Sequence, residues 1–211
     1  MSTVAACTDV AQAAPPVGLD LAGFPDGGRF PARAFRAHLG EFDPWHFASH
    51  PAGRFNLAYP NGTCYFAAAV STAVREFYGP KVRRNEVSAA DAAVLRVSTI
   101  TPPTDATSAD VSGAGAAPFG VTSELTTMGD FTITRAWAEL FKDHVDGLRY
   151  RSRFDPGGEA WALFGIAGPA PSLGGASAII DGEHAVAAAG MSVLPGPPRK
   201  SAVRMVPDPP G

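Results

Sequence analysis

The chain has 211 residues, 45% hydrophobic and 18% charged, with a net charge of −3. That balance suits one folded domain with a sizeable core and excludes both a disordered chain and a nucleic-acid binder working through a general basic excess. Cys7 and Cys64 make neither a disulfide framework nor a zinc site. The opening MSTVAACTDV lacks a basic n-region and an apolar h-region and does not read as a secretory signal, and no apolar run approaches about 20 residues, so the expected setting is the cytoplasm, away from membranes.

Residues 1–28, rich in Ala, Pro and Gly, read as an N-terminal extension, 29–200 as one domain and 201–211 as a C-terminal tail. Pro31–Leu39 predicts a strand with Arg36 and His38 on one face and Phe35 and Ala37 on the other. Glu41–Ala52 predicts a loop, and His46 and His50 read as loop histidines rather than metal ligands. Gly53–Ala58 and Thr63–Ala69 are expected to form a hairpin around Asn61-Gly62, because both turn residues tolerate positive φ. Val70, Ala73, Val74 and Phe77 then recur at helical spacing, with Ser71 as cap, Glu76 at the edge of the apolar stripe and Pro80 as terminator. Lys81–Glu86 reads as a solvated turn.

Ala92–Ile100 predicts a strand and Thr101–Gly120 a long loop without periodicity. Asp130–His144 carries the clearest helical pattern, capped by Asp130, with Trp137 in the core and Gly147 past its end. Leu148–Phe154 alternates, placing Arg149, Arg151 and Arg153 on a face read as solvated. Asp155-Pro156-Gly157-Gly158 turns the chain and Glu159–Ile166 pairs back. Further strands are expected near Ser177–Ile180 and Ala187–Leu194.

The central expectation is that a cation, a phenol and a carboxylate, Arg54, Tyr65 and Glu76, gather in one cleft. Arg36, the GRFN of Gly53–Asn56, the TCYFAA of Thr63–Ala68, Glu76 and the GLRYRSR of Gly147–Arg153 together resemble the RES domain family over roughly residues 33–195. The resemblance implies a single α+β domain, with an ADP-ribosyltransferase-like core of mixed or antiparallel sheet and flanking helices. It implies a toxin of a bacterial toxin–antitoxin pair that degrades NAD⁺ at the nicotinamide–ribose bond, by hydrolysis or by phosphorolysis. NAD⁺ is then the substrate, inorganic phosphate a co-substrate in the second case, and no other cofactor or metal is required. The implied partner is a helix-turn-helix-type antitoxin that blocks the site, with no direct nucleic-acid or membrane contact. In the family, Asp-Pro often follows the GRF; here Asn56-Leu57 stands there.

Each residue suits such chemistry. An arginine fork holds phosphate with paired charge-assisted bonds, which fits Arg54 first and Arg36 second. Tyr65 offers nicotinamide a ring face and a hydroxyl. Glu76 can stabilise an oxocarbenium-like sugar or take a proton from the incoming nucleophile. Ser152 can hydrogen-bond ribose or carboxamide; it lacks a base that would make it a nucleophile. Asn56 joins Arg36, Arg54, Tyr65 and Ser152 as a candidate for binding NAD⁺. Two other readings stay open: ADP-ribosyl transfer to a macromolecule, and a non-catalytic binding module.

Overall fold

The computed structural model describes residues 12–79 and 85–196. Cys7, most of the Lys81–Glu86 turn and the 201–211 tail lie outside them. The order is β1 (Asp26–Arg29), β2 (Ala34–Leu39), β3 (His46–Phe47), β4 (Asn61–Ala67), α1 (Val70–Tyr78), β5 (Glu86–Ser88), α2 (Ala89–Val94), β6 (Leu95–Ile100), β7 (Thr107–Asp110), α3 (Glu124–Thr127), α4 (Phe131–Phe141), β8 (Gly147–Arg151), β9 (Glu159–Ile166), β10 (Gly168–Pro169), β11 (Ala178–Asp181), α5 (Gly182–Ala188) and β12 (Ser192–Leu194).

An eight-stranded mixed sheet runs β1-β7-β8-β9-β4-β2-β6-β11. Its spine is β9, antiparallel to β4 on one side and to β8 on the other. The β7–β8 pair is parallel. Alternation along β9 divides the core. Ala160 and Ala162 face α4, whose Trp137, Ala138 and Phe141 pack there with Leu148 and Tyr150. Trp161 and Leu163 face the other way, among Trp45, Phe47, Cys64 and Phe66. A third cluster joins Val74 and Tyr78 of α1 to Leu95 and Val97 of β6 and Ala185 and Val186 of α5. The named helices therefore cover one sheet face, while the 41–52 and 168–173 segments cover the other. No helix among the described residues is long and apolar enough to cross a membrane.

Several sequence expectations need correction. Asn61-Gly62 is not a hairpin turn: it opens β4, with Asn61 opposite Ile166 and Gly62 opposite Gly165. Gly62 is required by close approach, since a Cβ there would lie 2.9 Å from the Phe47 carbonyl oxygen. Residues 53–60 form turns and irregular chain, ending at a cis Tyr59-Pro60 bond, so Arg54 sits on no strand. The 101–120 stretch contains β7 and a 3-10 turn at Ala114–Phe119; small polar residues hid a strand between β1 and β8. Ala89–Val94 is helical, capped by Ser88, and the strand starts only at Leu95. Ala187 and Ala188 end α5 rather than open a strand. The residue before α1 is Ala69, without a side-chain cap, and Ser71 lies inside the helix. Gly147 opens β8 rather than closing α4, whereas Asp130 does cap α4, accepting from Thr132 N–H at 2.9 Å.

Candidate active site

Arg54 lies on a segment with no strand ladder, so side chains from elsewhere fix it. The Thr134 hydroxyl donates to the Arg54 carbonyl. Thr63 Oγ1 donates to the Phe55 carbonyl at 2.8 Å, and Glu139 accepts from Ala58 N–H at 2.8 Å. Phe55 is fully buried and meets the Tyr150 ring edge-on at 5.3 Å. The Tyr65 hydroxyl accepts from Phe55 N–H at 2.8 Å and donates to Asn56 Oδ1 at 2.8 Å. Asn56 Nδ2 donates to the His50 carbonyl at 2.6 Å. Gly53 is needed beneath that amide, because a Cβ would sit 2.3 Å from it.

Glu76 projects from α1 toward the end of β8. Ser152 Oγ donates to Oε1 at 2.5 Å and Tyr150 donates to Oε2 at 3.3 Å. Ser152 Oγ also accepts from Phe154 N–H and Asp155 N–H at 3.1 and 3.0 Å. Asp155 in turn accepts from Thr72 Oγ1 at 2.6 Å, which ties the turn after β8 to α1. Burial pushes the Glu76 carboxyl above its usual range; the Ser152 hydrogen bond, the Arg54 charge, Tyr150 and the Arg153 charge each pull it back. Burial and the nearby Glu76 charge hold the Tyr150 phenol well above its usual range, so it remains a donor.

Arg54 is 9% exposed. Its Nη1 donates to the carbonyls of Met128 at 2.7 Å and Leu125 at 3.4 Å, and its guanidinium lies 5.0 Å from the Phe131 ring centroid. Burial, then the Arg153 charge, lowers its pKa, while Tyr150, Glu76 and Tyr65 raise it. The α3 segment that supplies those carbonyls is itself latched. Gln12 is buried, donates its backbone N–H to Glu124 at 2.7 Å and accepts from Thr122 N–H at 2.7 Å. The Trp137 indole donates to the Ala13 carbonyl at 2.9 Å.

The structure thus brings Arg54, Glu76 and Ser152 into one group, with Tyr65 at its edge. It adds Tyr150, to which the sequence assigns no role, and Arg153, expected on a solvated face. Tyr150 alternates like a core residue; Arg153 lies beyond the last residue of β8, so the alternation that assigned its face had already ended. Two expectations do not fit. Asn56 is spent on Tyr65 and His50, holding the 50–56 turn. Arg36 lies on the opposite sheet face, donating to Cys64 Sγ at 2.8 Å and to the carbonyls of Tyr65 at 3.0 Å and His46 at 2.8 Å. Ser152 points its one proton at Glu76, so its hydroxyl is engaged with that carboxylate. Concavities of about 590 Å³ beside Phe47, Leu163 and Pro171 and about 550 Å³ beside Phe24 and Phe141 lie elsewhere. Neither lining holds an arginine or a lysine beside its carboxylates, so chemistry rather than volume distinguishes the Glu76 cluster.

The fold and this cluster define an α+β domain in which a half-buried carboxylate, held by two hydroxyls, lies near two guanidinium groups. The RES domain family model matches residues 30–183, and the chain belongs to that family. No curated protein sequence matches it. Among solved structures the fold is similar to a chain of the M. tuberculosis MbcT–MbcA toxin–antitoxin complex, at 13% identity, covering 74% of this chain and 86% of that one, with a TM-score of 0.54.

Proposed function

We propose that this chain is the toxin of a toxin–antitoxin pair and that it cleaves the nicotinamide–ribose bond of NAD⁺. The observation that carries the reading is the half-buried Glu76 carboxylate, held by the Ser152 and Tyr150 hydroxyls with the Arg54 charge close by. Nicotinamide leaves with the electron pair of its bond to the ribose C1′, which neutralises its ring and leaves positive charge on the sugar. A fixed carboxylate stabilises that charge, and more strongly the further water is excluded. An ionised carboxylate has about four acceptor positions, so Glu76 can hold both hydroxyls and still take the proton of an attacking water. With water the products are ADP-ribose and nicotinamide; with phosphate, a phosphate oxygen bonds to C1′ instead. Tyr65 contributes a ring face, since its hydroxyl is engaged. An antitoxin of the helix-turn-helix type covering this mouth would silence it.

The test is nicotinamide release from NAD⁺, with and without phosphate, by wild type and Glu76→Gln. Release that depends on Glu76 supports the reading; equal activity, or none in either protein, ends it. Label from NAD⁺ left on protein or nucleic acid would instead mark ADP-ribosyl transfer.

A further inference from the structure

The GLRYRSR stretch holds three arginines in two environments. Arg149 pairs with Glu159 and, at 3.8 Å, with Asp110; Arg151 lies 3.4 Å from Glu159. Arg153 turns the other way. Its Nη1 donates to the Thr127 carbonyl and, at 3.3 Å, to the Met128 carbonyl that Arg54 also uses. Its guanidinium lies 4.5 Å from the Phe154 ring centroid, which fixes the plane of the fork. Its Nε is buried without an acceptor. Among the described residues neither Arg54 nor Arg153 makes an ion pair.

Two cations that share one neutral carbonyl repel each other in a medium of low dielectric, and carbonyl oxygens compensate only part of that. The group that relieves the repulsion carries more than one negative charge and several acceptor oxygens. We propose that Arg153 and Arg54 form a two-guanidinium clamp for a diphosphate, and that Arg153 makes this site select a dinucleotide over a nucleoside. The proposal rests on the NAD⁺ reading above for its substrate, but the clamp can be tested apart from cleavage. Phosphate oxygens would take over, with full charge, donors that serve the carbonyls of Leu125, Thr127 and Met128.

The first experiment compares wild type, Arg153→Gln and Arg153→Lys on NAD⁺ and on nicotinamide riboside, which has the same scissile bond and no phosphate. A charge-assisted hydrogen bond is worth about 1.5–3 kcal/mol, or roughly 10- to 150-fold in affinity. Arg153→Gln is expected to raise KM for NAD⁺ within that range and leave kcat within about threefold, with Lys intermediate because it lacks the fork. The ratio of kcat/KM between the two substrates should fall by the same factor. An unchanged KM for NAD⁺, or an equal loss on both substrates, overturns the clamp. The second experiment is calorimetry of ADP-ribose with Glu76→Gln, alone and combined with Arg153→Gln, monitoring folding by thermal melting. Binding that weakens at least tenfold in the folded double variant supports the clamp even if wild type releases no nicotinamide. No binding to the single variant, or equal binding to both, overturns it.

Discussion

Arg36 and Arg54 are both more than nine-tenths buried, at 8% and 9% exposure, and neither has an ion-pair partner among the described residues. They lie on opposite faces of one sheet. Arg36, from the middle of β2, is held by two carbonyls and a thiol within a layer of Trp45, Phe66 and Trp161. Arg54, from an irregular segment, is held by two carbonyls but shares its enclosure with a carboxylate, two phenols and a second guanidinium. A buried arginine bonded to backbone oxygens is therefore no mark of function by itself, and neither is an Nε without an acceptor, which Arg36 shares with Arg153. The difference lies in what else is within reach. On the Arg36 side the charge is used to close a gap between β2, β4 and β3; on the Arg54 side charges of both signs are kept apart and unpaired.

The sharpest test of that contrast is Glu76. Removing a general base or charge stabiliser costs about 10²–10⁴-fold in rate, so Glu76→Gln is expected to lose that much nicotinamide release. Its stability should move the other way. Because burial raises the Glu76 pKa in the folded protein, the native state keeps a proton that the unfolded chain releases first. Stability from this group is thus fully present below the ordinary carboxylate pKa and lost as pH rises through the folded value. Thermal melts at pH 5 and pH 8 should show wild type losing more stability with pH than Glu76→Gln. Activity through ionised Glu76 should rise over the same interval, with a midpoint above the usual carboxylate range. A pH-independent difference in melting between the two proteins would mean that Glu76 is solvated and the enclosure open.

Next comes the arginine on the other face. Arg36→Ala leaves the Tyr65 and His46 carbonyls without their donor and opens a void among aromatic rings, so a destabilisation of about 2–4 kcal/mol is expected in denaturant titrations. Arg54→Ala should cost less stability and more affinity for ADP-ribose. If Arg36→Ala folds like wild type but fails to bind the nucleotide, the two faces have been assigned the wrong way round.

Which parts of this contrast the residues disclosed follows from the range of the interactions. The β8–turn–β9 unit and α4 were readable because their signals are local: strict alternation, Asp155-Pro156-Gly157-Gly158, Asp130 as cap. Glu76 was placed on its helix by the 3.6-residue period alone. The 53–60 segment was not readable, because nothing within it shows that Thr134 and Glu139 of α4 and Thr63 and Tyr65 of β4 hold it in place of a ladder. Asn61-Gly62 misled for the same reason: its glycine answers to the Phe47 carbonyl, fifteen residues upstream. Arg36 shared a face with His38 as expected, but which face met the cleft depended on the layering of a sheet whose order is far from chain order. Arg153 carried one overlooked signal, a position between Ser152 and the Asp155-Pro156 turn, where strand alternation stops.

A smaller effect is expected at Tyr65. Tyr65→Phe keeps the ring and removes the hydroxyl that serves Phe55 N–H and Asn56 Oδ1. Leaving a buried N–H unpaired costs about 1–3 kcal/mol. Since the hydroxyl is engaged with the 53–56 turn, the loss should appear in melting temperature and in kcat/KM together, through a displaced Arg54. A variant with unchanged melting and a specific fall in kcat would instead place that hydroxyl on the substrate.

The mildest test concerns how Glu76 is seated. Thr72 lies one helical turn before it on α1, and its hydroxyl donates to Asp155 at 2.6 Å, in the turn whose first residues also cap Ser152 Oγ. Helix and turn are therefore joined at two levels: Ser71 and Thr72 to Asp155, and Glu76 to Ser152. Thr72→Val keeps the shape and removes the shorter half of the lower link, leaving the Ser71 hydroxyl on Asp155 at 3.3 Å, at an expected cost of about 1 kcal/mol in chemical denaturation. With the upper link intact, kcat should stay within roughly tenfold of wild type, the equivalent of about 1.4 kcal/mol. Ser152→Ala breaks the upper link and should lower kcat further than Thr72→Val at equal or smaller loss of stability. The reverse order would mean that the turn, and not the Ser152 hydroxyl, aims the carboxylate.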